Sequence, residues 1–476
     1  MWHYKESLTI LIVISCCLFT MTGCMVGPDF KPTQAELPAS WSGSTTAQMS
    51  FTESQQAELV HWWTTFNDAM LTSLVERAMK SNLDVLQAQA RIQQARAARG
   101  VAFAGLWPAV DATATFTRSR SVGSSSLGTV AAMNNLFHTG LDAAWEADIF
   151  GGVRRTIEAA DADVQATIED YGNIQVTLAG EVALNYIDLC GFRQEIIIAE
   201  NNLHTQQRTA GITRKRFQAG FASGLDVANA EAQVAATTSQ IPVFETAAQQ
   251  AIYSLSVLLA LEPSALVEEL SQASSIPGNP PTVPMLLPSD LLLRRPDIRR
   301  AEAQIHSATA RIGVATADLF PKFNLVGTSG FQGDESGEWL KRANRVWSFG
   351  PSVGWNIIDA GRIRSNIELQ KALQEETILA YEKTVLTAFQ EVENALIAYA
   401  KEQERRTALV DAVTANRKAV DLSTRLYTEG MTDFLNVLIA QRSLFVSEDA
   451  LVQSTRNLSA DLVALYKALG GGWDSK

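Results

Sequence analysis

One long stretch of this chain is written twice. Asn82 to Pro108 reads NLDVLQAQARIQQARAARGVAFAGLWP, and Arg295 to Pro321 reads RPDIRRAEAQIHSATARIGVATADLFP. No gap is needed: Asp84 falls on Asp297, Ala95 on Ala308, Leu106 on Leu319 and Pro108 on Pro321. The correspondence continues from Trp145–Gly151 to Trp355–Gly361, from Glu181-Val182 to Glu391-Val392, and from Gly220–Leu225 to Gly430–Leu435. Two copies of one long unit, in a chain with 5 His and 4 Cys, favour a symmetric framework over a catalytic pocket.

The front of the chain indicates where such a framework resides. Leu8 to Met21 is an apolar run of signal-peptide length, too short to span a bilayer comfortably. Met21-Thr22-Gly23-Cys24 follows, small residues before a cysteine, as in a bacterial lipobox. On this reading residues 1–23 are removed and Cys24 carries the lipid; an ordinary signal peptide with an incidental cysteine is the alternative. Cys16 and Cys17 leave with the leader, so Cys190 alone remains, and neither an internal disulfide nor a multi-thiolate metal site is available. A net charge of −12 argues against a nucleic-acid partner, which needs a basic footprint. Beyond the leader no apolar run is long enough for a membrane helix.

Just after each Trp-Pro or Phe-Pro landmark the period changes from helical to two. Val110, Ala112, Ala114 and Phe116 alternate with Asp111, Thr113, Thr115 and Thr117, and Leu141, Ala143, Trp145, Ala147 and Ile149 recur at every second position. In the second copy Phe323, Leu325 and Phe331 stand against Lys322, Asn324 and Thr328. Trp347, Phe349, Val353, Trp355 and Ile357 stand against Ser348, Ser352 and Asn356. These patterns predict strands near 109–118, 139–149, 322–332 and 347–357, about the 9–11 residues a tilted strand needs to cross a bilayer. Polar loops, Ser121–Leu127 and Gly333–Glu338, are expected between them. A soluble β-sandwich shows the same alternation. Four strands do not close a membrane barrel, so the membrane reading requires other chains to complete it, and three chains would give twelve strands.

The remainder is helical. From Val153 an apolar stripe steps by three or four through Ile157, Val164, Ile168, Leu178, Val182, Leu189 and Ile196, with no proline before Phe217. Such a helix would be about 95 Å long. Its counterpart runs from Ile363 to Tyr427. A steady three-four stripe is a coiled-coil seam, which leaves a lipid-anchored structural coiled coil without a channel as a second reading. Each long helix ends in a tight turn, with Gly220 and Gly430 placed as C-terminal glycines and Ser223 and Asp433 as N-caps of the returning helices. Those helices are expected over Leu225 to about Leu261 and Leu435 to about Leu469.

The paired turns, Arg216–Val227 (RFQAGFASGLDV) and Leu426–Val437 (LYTEGMTDFLNV), carry a family resemblance. So do Leu292–Ile298 (LLRRPDI), Tyr466–Trp473 (YKALGGGW) and Leu59–Leu71 (LVHWWTTFNDAML). With the lipobox, the chain resembles the TolC-like outer-membrane factors of tripartite efflux pumps, in their lipoprotein (OprM/NodT-type) branch. The resemblance covers essentially everything after residue 23. It implies a mainly α fold with a transmembrane β-barrel portion: a homotrimer with a 12-stranded barrel in the outer membrane and a long periplasmic helical barrel. The layout would be a lipidated and equatorial segment over 24–70, a first repeat over 71–275, a strap over 276–287, a second repeat over 288–469 and a tail over 470–476.

The resemblance further implies a gated conduit exporting small molecules or drugs. Its partners would be a periplasmic adaptor, an inner-membrane pump of the resistance-nodulation-division or related type, and outer-membrane lipid. No cofactor is implied beyond the lipid on Cys24. The second turn would form the periplasmic gate, with Gly430, Thr432, Asp433 and Phe434, and either Thr432 or Asp433 at the narrowest point. Gly220, Ser223, Leu225 and Leu435 would meet the adaptor. Channels of this kind for metal or protein export are not separable by motif. An enzyme finds little support: His61, His138, His204 and His306 are scattered, and neither HExxH, a phosphate-cradling glycine loop nor a serine nucleophile elbow occurs.

Overall fold

A backbone that reverses from helix to strand and back must place every N–H and C=O in a ladder or a cap, and the element order follows from how it does so. The computed structural model describes residues 25–32, 59–125, 128–272, 275–278 and 294–474. Cys24, the leader and most of the expected strap lie outside the described residues. In chain order the main elements are α1 (Ala69–Ser81), α2 (Leu83–Ala104), β1 (Ala109–Ser125), β2 (Gly128–Ala147), α3 (Gly152–Gln218) and α4 (Gly224–Leu258). They continue as α5 (Pro296–Ala317), β3 (Lys322–Gly333), β4 (Arg345–Gly354), α6 (Arg362–Glu429) and α7 (Phe434–Ala468). A helix of 22 residues, two strands, a helix of 67 or 68 and a helix of 35 thus occur in the same order twice.

The described residues fall into two compact units. One draws on 1–34, 91–167 and 300–381, the other on 35–90, 168–299 and 382–476. The first unit holds an antiparallel sheet in the order β1-β2-β3-β4. Register pairs Ala112 with Leu141, Leu141 with Ser329, Trp145 with Leu325, and Phe323 with Val353. Side chains opposite one another share a face, so the alternating apolar residues of all four strands lie on one side of the sheet, with Leu136, Val326 and Val346 on the other. Many of them are exposed, including Val110, Phe116, Leu141, Trp347, Phe349 and Val353. The other side carries a row across all four strands, Asp111, Asp142, Thr328 and Ser348.

The first hairpin is longer than its hydrophobic pattern implies. β1 has 17 residues and β2 has 20, and pairing continues from Ser119↔Asn134 to Ser125↔Gly128 through what reads as loop. Alternation reports only which residues face an apolar surface, whereas ladder hydrogen bonds form for serine and glycine as well. The strands stop early at the other end. β2 ends at Ala147 because the next residue, Asp148, turns its carboxylate to the N–H groups of Val153 (3.1 Å) and Arg154 (2.9 Å) at the start of α3. β4 ends at Gly354, and the Trp355 indole N–H donates to the Leu319 carbonyl at 3.0 Å. Trp145 does the same to Leu106 at 2.9 Å.

Residues 25–30 are built into this unit. The Arg155 guanidinium, 1 % exposed, donates to the carbonyl of Val26 (3.1 Å) and to the carboxylates of Asp29 (2.7 Å) and Glu158 (2.8 Å). Phe30 stacks on His306 at 4.4 Å. Gly27 has φ +91°, and a Cβ there would stand 2.5 Å from the Gly313 Cα.

In the second unit the aromatic run Trp62-Trp63 and Phe66 is buried, and Trp62 stacks on Tyr466 at 5.2 Å. The expected C-terminal tail is core through Trp473: the Gly472 N–H donates to the Leu59 carbonyl at 3.0 Å, and Trp473 is buried against Gly172. Glycine-rich chain reads as a terminator in sequence. Here its lack of side chains allows backbone to lie against Trp62 and Leu59. Arg295 of the Arg-Arg-Pro motif holds both Asp297 (2.7 Å) and Glu391 (2.7 Å), and Arg299 in the first turn of α5 holds the buried Glu169 at 2.8 Å.

Deeper in the same unit, the Arg456 side chain lies over Phe192 and in the space left by Gly191, with Asp188 at 3.6 Å. Glu195 is buried beside it, and burial pushes its carboxyl up to about 7, with Asp449 and Asp188 adding to the rise and Arg456 opposing it. Unfolded, this carboxyl loses its proton near about 4.3. The folded state therefore binds more protons between these values, and stability falls as pH rises through that window, by at most roughly 4 kcal/mol from this group.

Two outcomes are expected. Melting of the purified protein should drop between pH 5 and pH 8, and Glu195→Gln should remove most of that drop; equal pH dependence in both proteins would refute the assignment. Gly27→Ala should cost roughly 1–3 kcal/mol and release the segment bound to Arg155. The check is faster hydrogen exchange at the Val26 amide, which donates to Phe150 at 3.2 Å in the native protein.

Candidate functional site

The two turns between long and returning helices are built on one backbone plan. The Gly220 N–H bonds the Phe217 carbonyl (2.9 Å) and the Phe221 N–H that of Arg216 (2.8 Å). In the second turn Gly430 bonds Tyr427 (3.1 Å) and Met431 bonds Leu426 (2.8 Å). This is the paired closure of a Schellman motif, and it needs the left-handed glycine: φ is +81° at Gly220 and +79° at Gly430.

The returning helices begin differently. Ser223 and Asp226 close a capping box, the Ser223 hydroxyl accepting from the Asp226 N–H at 3.1 Å and the Asp226 carboxylate from the Ser223 N–H at 2.9 Å. Asp433 occupies the equivalent N-cap position, but its side chain makes no capping hydrogen bond. The capping role expected of Asp433 is therefore unfilled by its carboxylate, which is exposed. Beside it the Thr432 hydroxyl accepts from the Asn436 amide at 2.8 Å.

The turns are tied together. Arg216, from the end of α3, donates to the carbonyls of Tyr427 (2.8 Å) and Thr428 (3.1 Å) and lies over the Tyr427 ring at 4.8 Å. It thus supplies a cation and further donors where the last carbonyls of α6 have no N–H one turn on within the helix. The Tyr427 hydroxyl donates to Thr213 at 3.3 Å, and Gln441 donates to the buried Thr209 at 2.9 Å. Phe434 is 3 % exposed and packs edge-on to Tyr427 at 5.7 Å, in a small core with Ala230 and Val437. Phe434 thus packs inward, away from solvent. Phe221, Leu225, Met431 and Leu435 are exposed large apolar residues at the same two turns.

Arg216 and Tyr427 both stand in the quoted turn motifs, yet the sequence gives no sign that one reaches the other across 211 positions. The only available signal is compositional: a cation in the last turn of one helix, with exposed carbonyls requiring partners in the other. On the polar side of the sheet, the Thr113 hydroxyl donates to Asp142 at 2.8 Å, and Thr328 and Ser348 bond at 3.0 Å. Among the described residues that face is mainly polar, interrupted by Leu136, Val326 and Val346. Cys190 is buried, and burial pushes its thiol up to about 12. Among the described residues no group of three or more His, Cys, Asp or Glu is placed to hold a metal ion.

Known proteins give the same picture. A model of the outer membrane efflux protein family matches residues 74–261 and 287–471. The chain is 31% identical to nodulation protein T of Rhizobium leguminosarum bv. trifolii over 454 residues, 95% of this chain and 96% of that protein. It is 31% identical to the pyoverdine export outer membrane protein OpmQ of Pseudomonas aeruginosa over 470 residues, 98% of this chain and 97% of the other. Among solved structures, the outer-membrane channel OprN superimposes with a TM-score of 0.85 at 35% identity, covering 94% of this chain and 100% of that one. A one-sided apolar sheet joined in sequence to two long helical hairpins, matched over nearly its whole length, has one reading: the chain belongs to the outer membrane efflux protein family and works in the outer membrane.

Proposed function

We propose that three copies of this chain form the outer-membrane conduit of a tripartite efflux system, each giving four strands to a twelve-stranded barrel. The observation that carries this reading is the sheet. Its alternating apolar residues share one face, and β1 and β4 remain as edge strands. Edges must be paired before a sheet can stand in hydrocarbon. Two copies would give eight strands, whose interior side chains fill, whereas twelve leave room for water and solute. A structural coiled coil anchored by lipid would have no use for such a face.

The lipid on Cys24 would tether each chain, and no other cofactor is invoked. A periplasmic adaptor and an inner-membrane pump would supply the coupling and the energy. Small organic molecules are the proposed cargo, in keeping with the pyoverdine exporter among its relatives. Selection would fall to the pump, because the polar face of the sheet displays hydroxyls and carboxylates rather than a shaped pocket. Nothing in this arrangement calls for catalysis.

The periplasmic gate would be the second turn. A three-fold axis brings three copies of Gly430, Thr432 and Asp433 together, and three uncommitted carboxylates there would repel anions and attract cations. Phe434 would set the turn's position from within. The first turn, with Gly220, Ser223 and Leu225, together with Leu435, would meet the adaptor.

Reconstituted in planar bilayers, the wild type should pass small cation-preferring currents, and Asp433→Ala should raise conductance and weaken the cation preference. Unchanged conductance and selectivity would remove Asp433 from the constriction. Leu225→Asp, which loads a charge onto an exposed apolar position, should abolish pump-dependent resistance while trimers still reach the outer membrane. Resistance at wild-type level would exclude the first turn as adaptor contact.

A further inference from the structure

The loop between β3 and β4 folds back over the apolar face of the sheet, a shape that conduction does not require. Trp339 stacks on Phe137 at 6.3 Å, and Phe137 lies against Phe116 at 4.6 Å. Next to this aromatic cluster is a cleft of about 630 Å³. Ala112, Leu141 and Phe331 form the apolar part of its floor, beside the hydroxyl residues Thr139 and Ser329, with Leu340, Arg342 and Arg345 from the loop and the start of β4. Register sets Arg345 beside Phe331 on that face. Lys341 is paired with Glu338, but neither Arg342 nor Arg345 has an ion-pair partner among the described residues. Past Phe116 the same face continues with Arg118 and Arg120.

The Ala112, Leu141 and Phe331 part of the floor takes hydrocarbon, and two guanidiniums with planar, forked donors take phosphate. Only an amphiphile satisfies both. A free phosphate would leave the floor wet, and a neutral lipid would leave the arginines unpaired. The depth also fits. Arg345 lies eight residues along β4 from Val353, about 26 Å of strand and, at about 45° of tilt, about 19 Å of depth, so its long side chain can snorkel the last roughly 6 Å to the edge of an apolar band about 25 Å tall. Headgroup phosphates lie at that level.

We infer that this cleft binds a phosphorylated, acylated lipid of the outer leaflet, with a phosphate between Arg342 and Arg345 and an acyl chain along Leu141 and Phe331. The inference rests on the reading above that the apolar face meets lipid.

The test uses the full-length protein in nanodiscs holding bisphosphorylated lipid A, the same lipid with its phosphates removed, or phosphatidylcholine. Retained lipid is counted by native mass spectrometry, alongside the Arg342→Gln/Arg345→Gln double variant. Wild type should keep bisphosphorylated lipid A, with affinity lower by about tenfold for loss of one arginine and about a hundredfold for both. The dephosphorylated lipid should bind no better to wild type than the intact one does to the double variant. Equal retention by wild type and double variant overturns the site, and so does displacement of the lipid by millimolar inorganic phosphate, which would show that the headgroup alone is held. Membrane fractionation and conductance are read on the same preparations. Wild type that conducts in the outer membrane without retaining lipid overturns this inference alone; wild type that fails to insert overturns the orientation and this inference with it.

Discussion

A four-stranded antiparallel sheet leaves a row of backbone donors and acceptors along each outer strand, and everything else in this protein is arranged around that debt. In water such rows invite unspecific pairing; in hydrocarbon each unpaired group costs several kcal/mol. The register of β1 to β4 also gathers most large apolar strand residues on one face, where Val110, Phe116, Trp347 and Phe349 stand exposed. The open apolar face and the two open edges are what the proposed trimer would close. Its helices contribute in a different currency, since their hydrogen bonds close within themselves and their seams need only side chains to fit.

Junctions between the two regimes are where the chain spends its specific interactions. The backbone cannot change from ladder to helix without orphaning N–H groups, and at both β–α passages an aspartate takes them up: Asp148 for Val153 and Arg154, Asp359 for Gly361 and Ile363. At both α–β passages an indole N–H reaches back to the preceding loop, Trp145 to Leu106 and Trp355 to Leu319. These six hydrogen bonds are the same solution used twice.

Much of this was legible in the letters, for a physical reason. Burial on one side of a strand or helix imposes a period, and periods survive in sequence, so the strand faces, the two long helices and the left-handed glycines at 220 and 430 could all be read. What could not be read depends on residues far apart meeting at a point. Arg155 reaching Val26 and Asp29, Trp62 stacking on Tyr466, and Arg216 closing the end of α6 leave no period behind. The extra length of β1 and β2 was hidden for the opposite reason: serine and glycine pair as well as valine does, while announcing nothing. Phe434 leaves no period either, and its place inside the turn, packed on Tyr427, is visible only in the structure.

The difference between the two turns reaches further than their geometry. Both copies inherit the same backbone closure, so either would fold with a serviceable cap. In the first, Ser223 and Asp226 bind each other's backbone and each is committed to holding the helix start. In the second, the same position holds an aspartate whose carboxylate has no such duty. Duplication has thereby divided labour within one polypeptide: one copy conserves the fold's mechanics, and the other has a side chain released from them, free to change under selection without endangering the hairpin that carries it.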